Sequence, residues 1–117
     1  MIEENRPKNI HDVYHAHLYF DNDTKQIAKQ LSIESEKQFG LKVGQFHEKL
    51  VGPHLYWSCQ IIFESNDFER YVPWLDENRN GLTVLIHAVT GDDLIDHTEY
   101  AYWLGSKVEI DISFFNS

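Results

Sequence analysis

The sequence predicts an α+β fold in which an antiparallel sheet is covered by helices on one face. Two observations carry this prediction. Short segments in which apolar and polar residues alternate with period two, typical of strands, are interspersed with two longer segments whose apolar residues recur at helical spacing. The chain has 117 residues, enough for one core. We therefore expect a single domain over residues 1–117, with residues 1–11 as a flexible lead-in.

The first half of the chain predicts a strand, a helix and a second strand. Tyr14 to Phe20 (YHAHLYF) alternates as a strand does. The polar residues 21–24 supply turn and N-cap chemistry, and a helix should run from there to about Phe39, where Gly40 ends it. Leu41 to Lys49 then predicts a second, more polar strand.

The second half begins with a central strand, predicted from Leu55 to Phe63. Residues 65–67 (SND) should cap a second helix, which we expect Pro73 to kink or shorten because proline lacks a backbone N–H. Leu82 to His87 (LTVLIH) is the fourth predicted strand.

The C-terminal part predicts a short third helix from about Asp96 to Leu104, ended by Gly105, and a fifth strand from Val108 to Phe115. The order is therefore βαββαβ, the ferredoxin-like arrangement, with an extra C-terminal helix and strand. Helices cover one face of such a sheet. The other face must be covered by a partner or used as a site.

Composition narrows the classes of function. The net charge is −9 with neutral histidines and no basic cluster is present, which argues against nucleic acid or an anionic membrane as partner. No apolar run approaches the roughly 20 residues that span a bilayer, and we expect a cytoplasmic protein. The single cysteine, Cys59, excludes an internal disulfide or a multi-cysteine metal site, and its place in an apolar row predicts a small core residue.

The chain contains seven histidines, and their positions suggest a site. On the first strand, Ala16, Leu18 and Phe20 form an apolar row suited to the helices, so His15 and His17 point to the opposite face. Histidines two apart on a strand lie side by side, and one metal ion can bind both.

Other strands direct histidines to the same open face. His54 is in phase with the polar row of the third strand, His87 is out of phase with the apolar row of the fourth, and His47 is in phase with Gln45 on the second. This convergence predicts a histidine site on the uncovered face. This prediction assumes that each strand keeps its period of two, since a β-bulge would turn the following side chains to the other face.

Each histidine also has a structural interpretation. His54 in Gly-Pro-His fits a turn residue bonded to the backbone, His87 fits a structural residue at a strand end, and His97 fits a residue near a helix start. We interpret His11 as part of the lead-in and His47 as a solvent-facing strand residue.

The same histidines carry a family resemblance. YHAHLYF, GPHLYW, the segment from PWL through NRNGLTVLIHAVTGDDLIDHT, and YWLG are similar, in order and spacing, to motifs of the DOPA 4,5-dioxygenase family, from about Val13 to Ile112. The resemblance implies a ferredoxin-like fold, a homodimer, and cleavage of catechols such as DOPA beside the hydroxyl pair by non-haem iron and O₂.

The resemblance also suggests roles for the histidines. His15 and His17 match the family's His-x-His, His54 its Gly-Pro-His, His87 the histidine before Thr-Gly, and His97 the one in Asp-His-Thr. We expect His15, His17 and His87 to bind Fe(II), with Zn or Mn in its place as an alternative, and His54 and His97 to transfer protons.

Three questions stay open at this point. Glu48 or Glu109 could add a carboxylate to the metal site, and an all-histidine site is the alternative. A redox-inert Zn or Mn enzyme on the same histidines would act without O₂. A non-enzymatic dimeric binding module of this fold would bind no stoichiometric metal, and fold alone does not choose among these functions.

Overall fold

The computed structural model describes residues 8–116 and has the predicted fold class. Its elements, in chain order, are β1 Val13–Phe20, α1 Lys25–Phe39, β2 Lys42–His47, β3 Trp57–Glu64, α2 Ser65–Asn78, β4 Val84–Ala88, α3 Asp93–Asp96, β5 Ala101–Leu104 and a terminal 3₁₀ helix Ile112–Asn116. The five strands form one antiparallel sheet in the order β2-β3-β1-β4-β5. The ferredoxin-like prediction is confirmed, with β5 added at the β4 edge.

The main core lies between the sheet and the helices α1 and α2. β1 contributes its even-numbered residues, and β3 and β4 contribute the rows in phase with them, including Cys59, Ile61, Val84 and Ile86, all fully buried. Because side chains alternate along a strand, the odd-numbered residues of β1 face the other side. The predicted phase of β1 and β4 is therefore correct, and Cys59 is a core residue.

Both long helices begin and end close to the predicted positions. Gly40 closes α1 in the left-handed conformation (φ 67°) and donates its N–H to the carbonyl of Glu36, as expected of a C-terminal glycine. Of the two effects expected of Pro73, a kink or a shorter helix, the shortening is wrong, because α2 continues to Asn78. Pro73 faces solvent, where water can bind the carbonyl that proline leaves without a donor.

The C-terminal part differs most from the prediction. The helix expected from Asp96 to Leu104 is instead the short α3, Asp93–Asp96, followed by strand β5 paired with β4. The strand expected from Val108 to Phe115 is also wrong. That segment makes one isolated bridge, from Ile110 to His54, and then the 3₁₀ helix. An apolar run as short as AYWL fits either a helix or a strand, and only the free edge of β4 decided between them.

The start of the described chain is tied to the sheet. The buried Tyr14 hydroxyl accepts the backbone N–H groups of Ile10 and His11, and the His11 ring packs 4.4 Å from that of Tyr100. Met1 to Pro7, the remainder of the predicted lead-in, lie outside the described residues. Among the described helices, none is long and apolar enough to cross a membrane.

Candidate metal centre and active site

The centre of the open face carries three histidines on neighbouring strands. His15 and His17 lie on β1, and His87 lies on β4 directly opposite His15 in the antiparallel register. His17 and His87 are buried and His15 is half-buried. The period of two that places the apolar residues of β1 and β4 against the helices thus places these imidazoles together.

Two further histidines reach the same place from loops. His54 lies on the predicted face, but the strand expected from Leu55 begins only at Trp57, so strand phase is not what places it there. His54 lies in the preceding turn, which is held by the bridge to Ile110 and by the Asp111 N–H donating to the Pro53 carbonyl at 2.7 Å. His97 follows α3 immediately. The structure therefore brings together all five histidines for which a site role was predicted.

The five rings form two overlapping groups with the spacing of metal ligands. In each group the three ligand nitrogens lie within 4.8 Å of one another, and His17 belongs to both; the groups are His15, His17 and His87, and His17, His54 and His97. Ring centroids are 4.2 Å apart for His17 and His54 and 3.9 Å apart for His87 and His97. A single ion at the centre would be within reach of either group.

Hydrogen bonds to backbone carbonyls set the proton positions on two of the rings. His87 Nδ1 donates to the Ala88 carbonyl at 2.8 Å, so its Nε2 carries a lone pair when the ring is neutral. His97 Nδ1 likewise donates to the Asp93 carbonyl at 2.8 Å. The Nε2 atoms of His17 and His87 are 2.9 Å apart. Two lone pairs cannot face each other at that distance, so either a proton on His17 Nε2 or a cation must lie between them.

Burial keeps the inner histidines neutral. Desolvation, followed by repulsion from neighbouring imidazoles, lowers the pKa of His87 to about 3 and holds the pKa of His17 well below its ordinary value. Desolvation and the nearby His97 also lower the pKa of His54, to about 4, and the pKa of His15 falls for the same two reasons. At neutral pH these four histidines present uncharged nitrogen donors, the form that binds metal.

The carboxylates nearest the histidines differ from those proposed from the sequence. Glu48 forms an ion pair with Lys25 at 3.1 Å, Glu109 is exposed, and neither lines the histidine cavity. Asp93 and Asp96 do line it. The sequence DLIDH could have indicated that these two carboxylates lie near His97. Asp96 and His97 follow Asp93 by three and four positions, and residues at that spacing share one face of a helical turn.

Asp96 is nearly fully buried, and its carboxylate accepts two hydrogen bonds from Thr90. The Thr90 N–H donates to Oδ2 at 2.8 Å and the Thr90 hydroxyl to Oδ1 at 2.6 Å. These bonds fix the turn between β4 and α3, and therefore the position of His97. Asp93 is exposed, and its carbonyl orients the His97 ring.

The histidines line a cavity of about 410 Å³. Its walls also include Gln45, Gln60 and Ser58, and the aromatic rings of Phe114 and Phe115. His47, expected to face solvent, is half-buried and lines the cavity as well. A cavity of this size suits a small aromatic molecule beside the imidazoles.

Comparisons with known proteins identify the family of this chain. A family model described as the Dopa 4,5-dioxygenase family matches residues 14–114. The crystal structure of a "putative dioxygenase" from Nostoc punctiforme is similar, with a TM-score of 0.87 and 36% sequence identity, over 90% of this chain and 91% of that one.

Two fungal proteins are similar in sequence. An uncharacterized 21.2 kDa protein of Botryotinia fuckeliana is 30% identical over 87% of this chain and 61% of its own length. A DOPA 4,5-dioxygenase of Amanita muscaria is 28% identical over 86% of this chain and 48% of its own length. The chain thus spans about half to three-fifths of these two relatives. The match over nearly all of this chain, together with the histidine cavity on the open face, shows that it belongs to the Dopa 4,5-dioxygenase family.

Proposed function

We propose that this protein is an extradiol dioxygenase that opens the ring of a catechol, DOPA or a related compound, with Fe(II) and O₂. The observation that carries the proposal is the 2.9 Å approach of His17 Nε2 to His87 Nε2 in a cavity large enough for an aromatic ring. Family membership and the likeness to dioxygenases support the class of reaction.

The donor set fits a divalent metal ion. His15, His17 and His87 would hold it, because they lie on adjacent strands and present neutral nitrogens. Three neutral ligands leave the charge of the ion uncompensated, which favours a catecholate as the next ligand. Bound Fe(II) supplies the redox chemistry through which catechol reacts with O₂.

His97 and His54 are suited to opposite proton transfers in this proposal. His97 donates its Nδ1–H to Asp93, so its Nε2 is free to accept a proton from a catechol hydroxyl. His54 Nδ1 lies 2.7 Å from the hydroxyl of buried Tyr19. Burial raises the pKa of Tyr19, which keeps that hydroxyl protonated and able to donate to His54. His54 Nε2 then carries a proton that it can give to the opening ring as Nδ1 takes the Tyr19 hydroxyl proton in the same step, because a neutral imidazole that only lost a proton would become an imidazolate.

Oxygen uptake tests the proposal directly. Protein loaded anaerobically with Fe(II) and mixed with DOPA or 4-methylcatechol should consume O₂ and form a yellow ring-opened product. His17→Ala should lose both metal and activity, because His17 belongs to both three-histidine groups. Gln60→Ala, on the same cavity wall, is the matched control and should keep its metal. Bound metal without oxygen uptake on any catechol would contradict the proposal.

Replacing His54 separates proton transfer from metal binding. His54→Gln should retain stoichiometric iron and lower kcat by about 10²-fold or more, the usual contribution of a positioned acid. Iron content is measured by metal analysis and turnover by oxygen electrode. Loss of iron would instead place the ion in the group formed by His17, His54 and His97.

The same donors also suit a redox-inert enzyme. Three histidines with an open position are a known zinc arrangement, in which the metal activates water. This second candidate predicts turnover with Zn(II) or Mn(II) that is equally fast without O₂. A comparison of rates in aerobic and anaerobic solution therefore chooses between the two.

We propose in addition that the protein is a homodimer. Apolar side chains remain exposed on the side of the sheet that the helices leave uncovered, including Ile112 and Phe114, which are 48% and 51% exposed and line the cavities on that side. Light scattering of the purified protein should give twice the 13.8 kDa chain mass. A monomer at micromolar concentration would contradict this part of the proposal.

A further inference from the structure

A second cavity, of about 550 Å³, adjoins the histidine cavity. His97 lines both. The walls of the second cavity are mainly apolar and include Ala101 and Trp103 of β5 and Val108 and Ile110 of the following segment. A ligand whose ring lies beside the histidines could therefore extend a substituent past His97 into this space.

The segment that forms the outer wall is fixed to the active-site loop. Ile110 makes the β-bridge with His54, and Val108 and Ile110 pack on the small apolar cluster around Tyr19, Leu85 and Ala101. The positions of residues 107–110 are thus tied to the same turn that carries His54. This wall is part of the site rather than an independent loop.

Two opposite charges lie on this wall. Lys107 and Glu109 are exposed and both line the second cavity. Lys107 is the only lysine or arginine that lines either cavity, within the described part of the chain. Neither side chain forms an ion pair with any residue of the described range 8–116. Both charges are therefore available to a ligand.

We propose that the second cavity binds a zwitterionic side chain of the aromatic substrate, with its carboxylate at Lys107 and its ammonium group at Glu109. This inference rests on the proposed function, whose substrate it specifies: a catechol that carries an α-amino acid group. The apolar walls, Trp103 among them, would contact the carbon chain between ring and charges.

Electrostatics favours a zwitterion over a simple acid. The chain has a net charge of −9, and the carboxylates of Asp93 and Asp96 line the first cavity. A substrate with a net negative side chain would meet repulsion from these groups and from Glu109, and among residues 8–116 only Lys107 offers a compensating lysine or arginine on either cavity wall. A zwitterion satisfies Lys107 and Glu109 together and adds no net charge.

A set of four catechols tests the inference. DOPA carries both charges, 3,4-dihydroxyphenylpropionate lacks the ammonium, dopamine lacks the carboxylate, and 4-methylcatechol lacks both. Lys107→Gln should lower kcat/KM for DOPA about 10-fold, mainly through KM, and leave 4-methylcatechol within about 2-fold, as expected when one exposed charge contact is lost. Glu109→Gln should lower kcat/KM for DOPA and raise it for the propionate.

Matched variants and a binding measurement complete the test. Lys42→Gln and Glu99→Gln remove the same charges from exposed positions that line neither cavity and should change nothing. Calorimetry with the Zn(II)-loaded protein, which cannot turn the catechols over by redox chemistry, should show the same loss of DOPA affinity in Lys107→Gln.

The outcomes separate the two proposals. Cleavage of 4-methylcatechol with an unchanged ratio of DOPA to 4-methylcatechol in both variants would overturn the subsite and leave the dioxygenase proposal standing. Failure of every catechol to react would overturn the dioxygenase proposal. In that case a Lys107-dependent preference for DOPA in the calorimetry would still support the subsite, and no preference would overturn it.

Discussion

The two faces of one sheet show what burial does to different side chains. Ile86 and His87 are neighbours on β4, and both are almost completely buried, at 0% and 3% exposure. Ile86 packs in the core under the helices, whereas His87 lines the cavity with five other histidines. Burial of the first stabilises the fold through the hydrophobic effect. Burial of His87 makes its protonated form less favourable, so the ring stays neutral and keeps a nitrogen that can bind metal.

The open face is itself divided. On the β5 side, Tyr19, Leu85 and Ala101 form a small apolar cluster that supports the residues of the second cavity. Toward the middle of β1 and β4 the histidines replace apolar residues. One face therefore combines a rigid apolar support with a titratable site, an arrangement that holds catalytic groups in fixed positions.

The strongest test of this contrast replaces each of the two neighbours on β4 by alanine in a separate variant. Ile86→Ala should reduce the free energy of unfolding by roughly 2–5 kcal/mol, because it leaves a cavity in the core, and should leave metal affinity unchanged. His87→Ala should lower metal affinity by at least about 100-fold, more than loss of an outer-shell partner does. Urea unfolding and calorimetric titration with metal measure the two effects. Unchanged metal affinity in His87→Ala would remove His87 from the ligand set.

A change of pH should affect the two faces differently. The pKa values of His54 and His87 in the folded protein, about 4 and about 3, lie below the ordinary 6.5, so the unfolded chain binds protons that the folded chain excludes. The metal-free protein should be most stable above about pH 6.5 and should lose about 1.4 kcal/mol per pH unit for each such histidine as the pH falls toward 4.

Urea unfolding of the metal-free protein between pH 7.5 and 5 measures this slope. His54→Gln should reduce this slope, because the unfolded variant binds one proton fewer than the unfolded wild type. His47→Gln, on the wall of the same cavity but outside both three-histidine groups, is the control for loss of a histidine as such. A slope identical in the wild type and in His54→Gln would contradict the assignment of acid sensitivity to the open face.

The smallest expected effect concerns the support of His54. Tyr19→Phe removes the 2.7 Å hydrogen bond to His54 Nδ1, which should cost about 1 kcal/mol of stability and lower kcat about 10-fold while iron stays bound. Tyr56, whose ring stacks on Tyr19 at 5.5 Å and which is 45% exposed, offers the control Tyr56→Phe, expected to change stability by less than about 0.5 kcal/mol. Equal turnover in both variants would show that Tyr19 does not position His54.

Prediction from the sequence succeeded where a rigid local period applied. The alternation of β1 and β4 assigned His15, His17 and His87 to one face and Leu18 and Ile86 to the other. It placed His54 on the correct face for the wrong reason, because the phase argument assumed a strand from Leu55 and β3 begins only at Trp57. His54 reaches the cavity because Ile110, 56 positions along the chain, forms a bridge with it.

Long-range packing also decided the C-terminal part. Ala101–Leu104 became a strand because β4 offered an unpaired edge, which no local pattern reveals. The positions of Asp93 and Asp96 depend on where α3 begins. The positions of Lys107 and Glu109 depend on a segment whose course is set by contacts with β5 and the His54 loop.

The order of the first six elements, the two faces of the central strands and the presence of a histidine site could thus be predicted from the pattern of residues, because they follow from the periods of strand and helix. The tertiary structure decided which histidines meet, which carboxylates stand near them and how the site extends past His97. These depend on contacts between residues far apart in the chain, for which the local pattern carries no signal.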